Sequence, residues 1–105
     1  MLFDKSKLDE GDIISFKMSS GEEILGKLKS QDMMSITVGK PVVLAMTKNG
    51  PGMAPALMTV SPDADLSFNR SSIAIGPALT DKEIANQYTF QTTGIQPVTA
   101  GSIVT

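Results

Sequence analysis

The stretch Asp12-Ile13-Ile14-Ser15-Phe16-Lys17-Met18-Ser19-Ser20-Gly21-Glu22-Glu23-Ile24-Leu25-Gly26-Lys27-Leu28-Lys29 decides the fold. Ile14, Phe16 and Met18 fall on one side of an alternating pattern, and Ser15 and Lys17 on the other. Period two marks a half-buried strand. Ser19-Ser20-Gly21 follows as a turn, because glycine adopts the positive φ that tight hairpins need. A second alternating run then sets Ile24, Gly26 and Leu28 against Leu25, Lys27 and Lys29. The two runs predict a β-hairpin.

Working outward, Ser30-Gln31-Asp32 is the next turn and Met33–Thr47 reads as one long strand. Met34, Ile36 and Val38 align on it, and so do Val42, Leu44 and Met46. Gly39-Lys40-Pro41 interrupts the run; proline has no N–H for a ladder, so a bulge or bend is expected there. Lys48–Gly52 is the strongest turn signal, and the Gly and Pro content of Asn49–Pro55 requires only a hairpin tip. Ala56–Val60, Leu66–Phe68 and Ser72–Gly76 are further short strand candidates. Strand phase predicts a core of Ile14, Phe16, Ile24, Leu28, Met34, Ile36, Leu44, Phe68 and Ile73.

The period changes after residue 79. Thr80-Asp81-Lys82-Glu83 has the form of a capping box, and Ile84, Ala85 and Tyr88 follow at helical spacing. Gly94 is placed to end the helix. The chain thus divides into an N-terminal segment 1–11, a β domain 12–77, a helix 80–94 and a tail 95–105 without periodicity. Five short strands joined by tight turns imply a mostly β fold, a small and strongly bent barrel with a short C-terminal helix. Glycines at 26 and 39 allow the bending.

Composition narrows the function. The 105 residues suffice for one domain, and a hydrophobic fraction of 41% is that of an ordinary globular protein. No apolar run approaches bilayer length, and Met1–Glu10 lacks a signal peptide's apolar stretch, so a cytoplasmic protein without membrane contact is expected. Cysteine, histidine and tryptophan are absent. The usual nucleophile activators, general bases and zinc ligands are therefore missing, and neither an enzyme nor a cofactor is expected. Asp63 and Asp65 sit in a Pro-Asp turn and are too few for an oxygen cage. The net charge of −2 confines any nucleic-acid contact to a local patch.

The segment from Ile14 to Ile36 resembles the first motif of the Sm-like family, and within it the bacterial Hfq branch. The match comprises the alternating strand, Gly21-x4-Gly26, apolar Leu28 and Asp32, six residues after the second glycine. Asn69-Arg70-Ser71-Ser72-Ile73 resembles the short basic second motif, with Arg70 at its Lys or Arg position. The chain also resembles short proteins of marine phages, which would place it in a host cytoplasm. The resemblance, over residues 12–76, implies an Sm-like (SH3-like) barrel. It further implies a closed ring of about five to seven subunits, joined edge to edge. It also implies binding of single-stranded RNA, or DNA, near the pore. Carried over by position, the base pocket would use Met33, Met34, Arg70 and Ser71, with Asp32 supporting the loop. Met34 departs from the family, which usually places an aromatic there, and Met1–Glu10 has no counterpart of the family's N-terminal helix. A ring-shaped scaffold that docks a protein partner without nucleic acid is the alternative, with the Ala56–Val60 edge as its docking strand.

Overall fold

The opening hairpin forms as its alternation requires. In the computed structural model, which describes residues 7–93, β1 (Ile13–Met18) and β2 (Glu23–Gln31) pair antiparallel with Phe16 opposite Ile24. Gly21 takes a φ of 108° in the turn, where its N–H donates to the Met18 carbonyl at 2.9 Å. The expected helix end at Gly94 and the tail 95–105 lie outside the described residues.

β3 (Ser35–Thr47) runs the length of β2 and bends where the sequence interrupts it. Lys27 faces Gly39 and Leu25 faces Val42, so Lys40 and Pro41 together stand opposite Gly26 alone. That extra residue is a bulge, and Lys40 absorbs it with a φ of 50°. The strands also approach closely here: a Cβ on Gly26 would lie 2.9 Å from the Val38 Cβ.

The segment after Thr47 differs from expectation. Gly50–Pro55, expected as a hairpin tip, is strand β4, paired with β3 from Thr47–Gly50 to Val42–Pro55. Its prolines are tolerated because β4 is an edge strand with only one ladder to satisfy. Ala56–Val60, expected as a strand, consists of bends and turns. The Ala56 N–H makes a last bond to the Pro41 carbonyl at 3.0 Å before the chain leaves the sheet.

β5 (Asp65–Asn69) returns to the first half of β3, on the same side of that strand as β4, with Phe68 opposite Ile36. A 3-10 turn (Arg70–Ser72) leads into β6 (Ile73–Leu79), which pairs with β1. The antiparallel sheet has six strands rather than five, in the order β4-β3-β2-β1-β6 with β5 on β3, and is not closed.

Two apolar clusters lie on opposite faces. Ile14, Phe16, Ile24, Leu28, Ile36 and Val38 form the first, with Phe68 and Ile73 packed against it half-buried. Leu44, expected in this core, instead flanks the second cluster of Leu25, Val42 and Tyr88. Met34 corrects the predicted core outright: it is 77% exposed. The alternation does not reach it, because β3 begins only at Ser35.

The second cluster exists because α1 (Lys82–Thr93) covers the outer face of β2 and β3. Its N-cap is Asp81 rather than Thr80, the Asp81 carboxylate accepting the Glu83 N–H at 3.2 Å. Thr80, just past β6, is still tied to β1, donating its N–H to the Ile13 carbonyl at 3.0 Å. Tyr88 is the buried residue of the helix. Among the described residues, no helix is long and apolar enough to cross a membrane.

Candidate functional site

The site begins where β2 runs out of apolar residues. After Gln31 the Asp32 carboxylate folds back on the chain, one oxygen accepting the N–H groups of Met34 at 2.8 Å and Ser35 at 2.9 Å. The Asp32 N–H in turn donates to the Ser35 carbonyl at 2.9 Å. This is an aspartate-centred turn, the local chemistry that makes Asp a turn residue. The Met34 and Ser35 amides hold the Asp32 carboxyl below the usual carboxylate range, and the Arg70 charge adds a smaller effect in the same direction. With four consecutive residues committed to the turn, Met33 points outward at 90% exposure beside Met34.

Arg70 enters from the other loop, after β5. Its backbone N–H donates to the Met34 carbonyl at 2.9 Å. Its Nε donates to the Asp32 carbonyl and its Nη2 to the Gln31 Oε1, each at 2.6 Å. Two segments separated by 38 residues in the chain are thereby fastened into one corner. The five residues named from the sequence lie together here: Asp32, Met34 and Arg70 through this network, Met33 exposed between Asp32 and Met34, and Ser71 exposed on the adjoining turn.

Arg70 has a structural task beside the one expected of it. A guanidinium carries five N–H donors. Side-chain bonds to Asp32 and Gln31 engage two of them, so the residue acts first as a clamp between loops, with the remaining donors available at the rim. Gln31 is the residue that sequence reasoning passed over. Because Oε1 accepts from Arg70, the Gln31 amide is turned so that its NH2 donors face away from the clamp. Its one sequence signal was its place immediately before Asp32, which reads as ordinary turn chemistry.

The corner is chemically simple. Among the described residues there is no group of three or more Asp or Glu side chains that could hold a metal ion. It offers exposed thioethers, an oriented amide and part of a guanidinium, which suit contact with a flat or anionic ligand. No protein-family model and no curated protein matches the chain.

Proposed function

We propose that the chain is an Sm-like, ring-forming protein whose Asp32–Arg70 corner contacts single-stranded RNA or DNA, as an RNA chaperone or nucleic-acid-processing factor. The observation that carries this reading is the hydrogen-bonded junction of the two loops, with Met33 and Met34 laid open beside it. Thioethers are polarizable and give base faces a surface to lie on, though a weaker one than an aromatic ring. The outward Gln31 amide and the free part of Arg70 supply donors for phosphate oxygens or base acceptors.

Strand order supports the barrel. The path β5-β3-β2-β1-β6 starts and finishes on strands joined by the three-residue turn Arg70–Ser72, so its two ends are held close. Across the interior Phe16 of β1 meets Phe68 of β5 edge-on, with ring centroids 5.1 Å apart. The ring is supported by β6, whose outer edge lacks a partner among the described strands and exposes Ile75 and Leu79 without any charge. Such an edge can pair with another copy to either side of Pro77, which has no N–H to give a second ladder.

The scaffold alternative draws on a different surface. Residues 50–62 carry no charge, and Leu57, Met58 and Val60 are exposed there. Since Ala56–Val60 is not a strand, a partner would meet side chains there rather than extend the sheet. Fluorescence anisotropy of labelled U-rich and mixed oligonucleotides, across a salt series, tests the nucleic-acid reading. Saturable binding at low salt that weakens in Met33→Ala supports it. A complete lack of such binding leaves only the scaffold.

A further inference from the structure

We propose that the cleft between α1 and the bend of β3 is a second binding site, one that takes a phosphate group. It lies on the outer face of the sheet and encloses about 130 Å3. At the bend, the lining side chains close over Gly39. Gly39 has no side chain, and a Cβ there would lie 2.7 Å from the Lys29 Cε and 3.0 Å from an Asp65 carboxylate oxygen. The stem of Lys29 and the Asp65 carboxylate thus converge across the missing side chain.

Three lysines line this one cleft: Lys27 and Lys29 on β2, and Lys40 on the bulge. Lys27 and Lys29 are alternate residues on one face, about 6–7 Å apart along the strand. Lys40 is already engaged, donating to the Thr92 carbonyl at 3.2 Å and standing 3.9 Å from an Asp63 carboxylate oxygen. The wall opposite is the second half of α1, with Tyr88, Thr89, Thr92 and Thr93. Ammonium groups are compact, strongly hydrated donors that bind phosphate as point charges. Three of them against the carboxylates of Asp63 and Asp65 leave one positive charge in excess.

Asp63, Asp65 and the carbonyl end of α1 all oppose an anion. Binding is accordingly weak and salt-sensitive, and removing a carboxylate should strengthen it. A purely structural cleft would show no such response. The phosphate could belong to a nucleic-acid backbone or to a small phosphorylated molecule; its chemistry in the cleft is the same. The site is separate from the Asp32–Arg70 corner and does not rest on the reading given to that corner.

The test is a titration of the 15N-labelled full chain with inorganic phosphate, against chloride at matched ionic strength. Saturating amide shifts are expected at Lys27, Gly39, Lys40 and Thr89 and not at Met33. Lys27→Ala combined with Lys29→Ala should weaken the apparent affinity roughly tenfold, and Asp65→Asn should tighten it about threefold, as expected for part-exposed charge contacts. All three positions are exposed, so an unchanged spectrum elsewhere will show that the variants fold. A flat titration, or equal affinity in the parent and both variants, overturns the proposal. A second arm uses an oligonucleotide without terminal phosphates. Shifts of the same amides, lost in the double lysine variant, identify the strand backbone as the source. Shifts with free phosphate alone identify a small molecule. Should the corner fail to bind oligonucleotide while the cleft still binds phosphate, only the nucleic-acid reading falls.

Discussion

Tyr88 ties the helix to the sheet through one hydroxyl proton shared between two carbonyls, Gly39 at 3.0 Å and Lys40 at 2.8 Å. Both carbonyls lie at the bulge, where the β2–β3 ladder is interrupted. Removing the hydroxyl in Tyr88→Phe leaves them without this donor and should cost about 1–3 kcal/mol, measured by urea denaturation near neutral pH. Burial also pushes the Tyr88 phenol up to about 12 from 10.0. A raised phenol pKa means the unfolded chain loses its proton first, so this stability is fully present below pH 10. It should fall as pH rises from 10 towards 12, by on the order of 2–3 kcal/mol in all. Lysines titrate in the same range, so the informative quantity is the parent's loss minus that of Tyr88→Phe. An equal loss in both proteins would mean that the phenol is not buried. Asp32 works in the opposite direction. Its carboxyl is held low by the Met34 and Ser35 amides, so its contribution is present above the ordinary aspartate range and disappears as pH falls through the depressed value. Exchange of the Met34 and Ser35 amides, corrected for the intrinsic pH effect, should quicken on acidification, and in Asp32→Ala it should be fast throughout.

Among the elements, the β1–β2 hairpin, the bend at Gly39-Lys40-Pro41 and the helix were legible because each rests on local chemistry: alternation, a missing N–H, the helical spacing of Ile84, Ala85 and Tyr88. The long strand was legible only within its own limits. Met34 continues the pattern of Ile36 and Val38 on paper, yet the Asp32 turn stops the strand before it. β4 was read as a tip because Gly50-Pro51-Gly52 looks like turn chemistry, and only pairing with β3 makes it a strand. Tertiary pairing of this sort leaves no periodic trace. The residues of the corner were named by motif position, but the clamp was not, since a bond from Arg70 to Gln31 spans 39 residues. Gly26 illustrates an element-scale constraint that glycine content alone does not reveal. A Cβ there would meet the Val38 Cβ at 2.9 Å and the Gly39 carbonyl oxygen at 3.3 Å. Gly26→Ala should therefore strain the β2–β3 crossing and cost about 1–3 kcal/mol, as overpacking does. A thermal melt that matches the parent would show that the two strands separate more readily than their register suggests.

At the scale of the whole molecule, the proposed assembly and the proposed nucleic-acid binding depend on each other, because a net charge of −2 gives a single subunit little hold on phosphates. A ring repeats each corner, and a strand bound at several corners at once gains avidity without any new contact. Light scattering after size exclusion should accordingly give a closed homo-oligomer of about five to seven copies. Ile75→Lys, which places a charge on the exposed β6 edge, should lower both the mass and the affinity for oligonucleotide. A stable parent monomer at micromolar concentration would remove the ring. Salt then separates the roles within the corner. Met33 is neutral, so Met33→Ala should weaken binding at every salt concentration while leaving the slope of log affinity against log salt unchanged. Arg70→Lys keeps the charge but cannot reach both Asp32 and Gln31 with one planar fork, so it too should lower affinity with little change in slope. Arg70→Ala removes the clamp and the charge together and should flatten the slope as well, since fewer counterions are released. Lys82→Ala, on α1 outside both loops, is the control and should bind like the parent. If Arg70→Ala keeps the parent's affinity and slope, the guanidinium is a clamp alone and the strand, if bound, lies elsewhere on the ring.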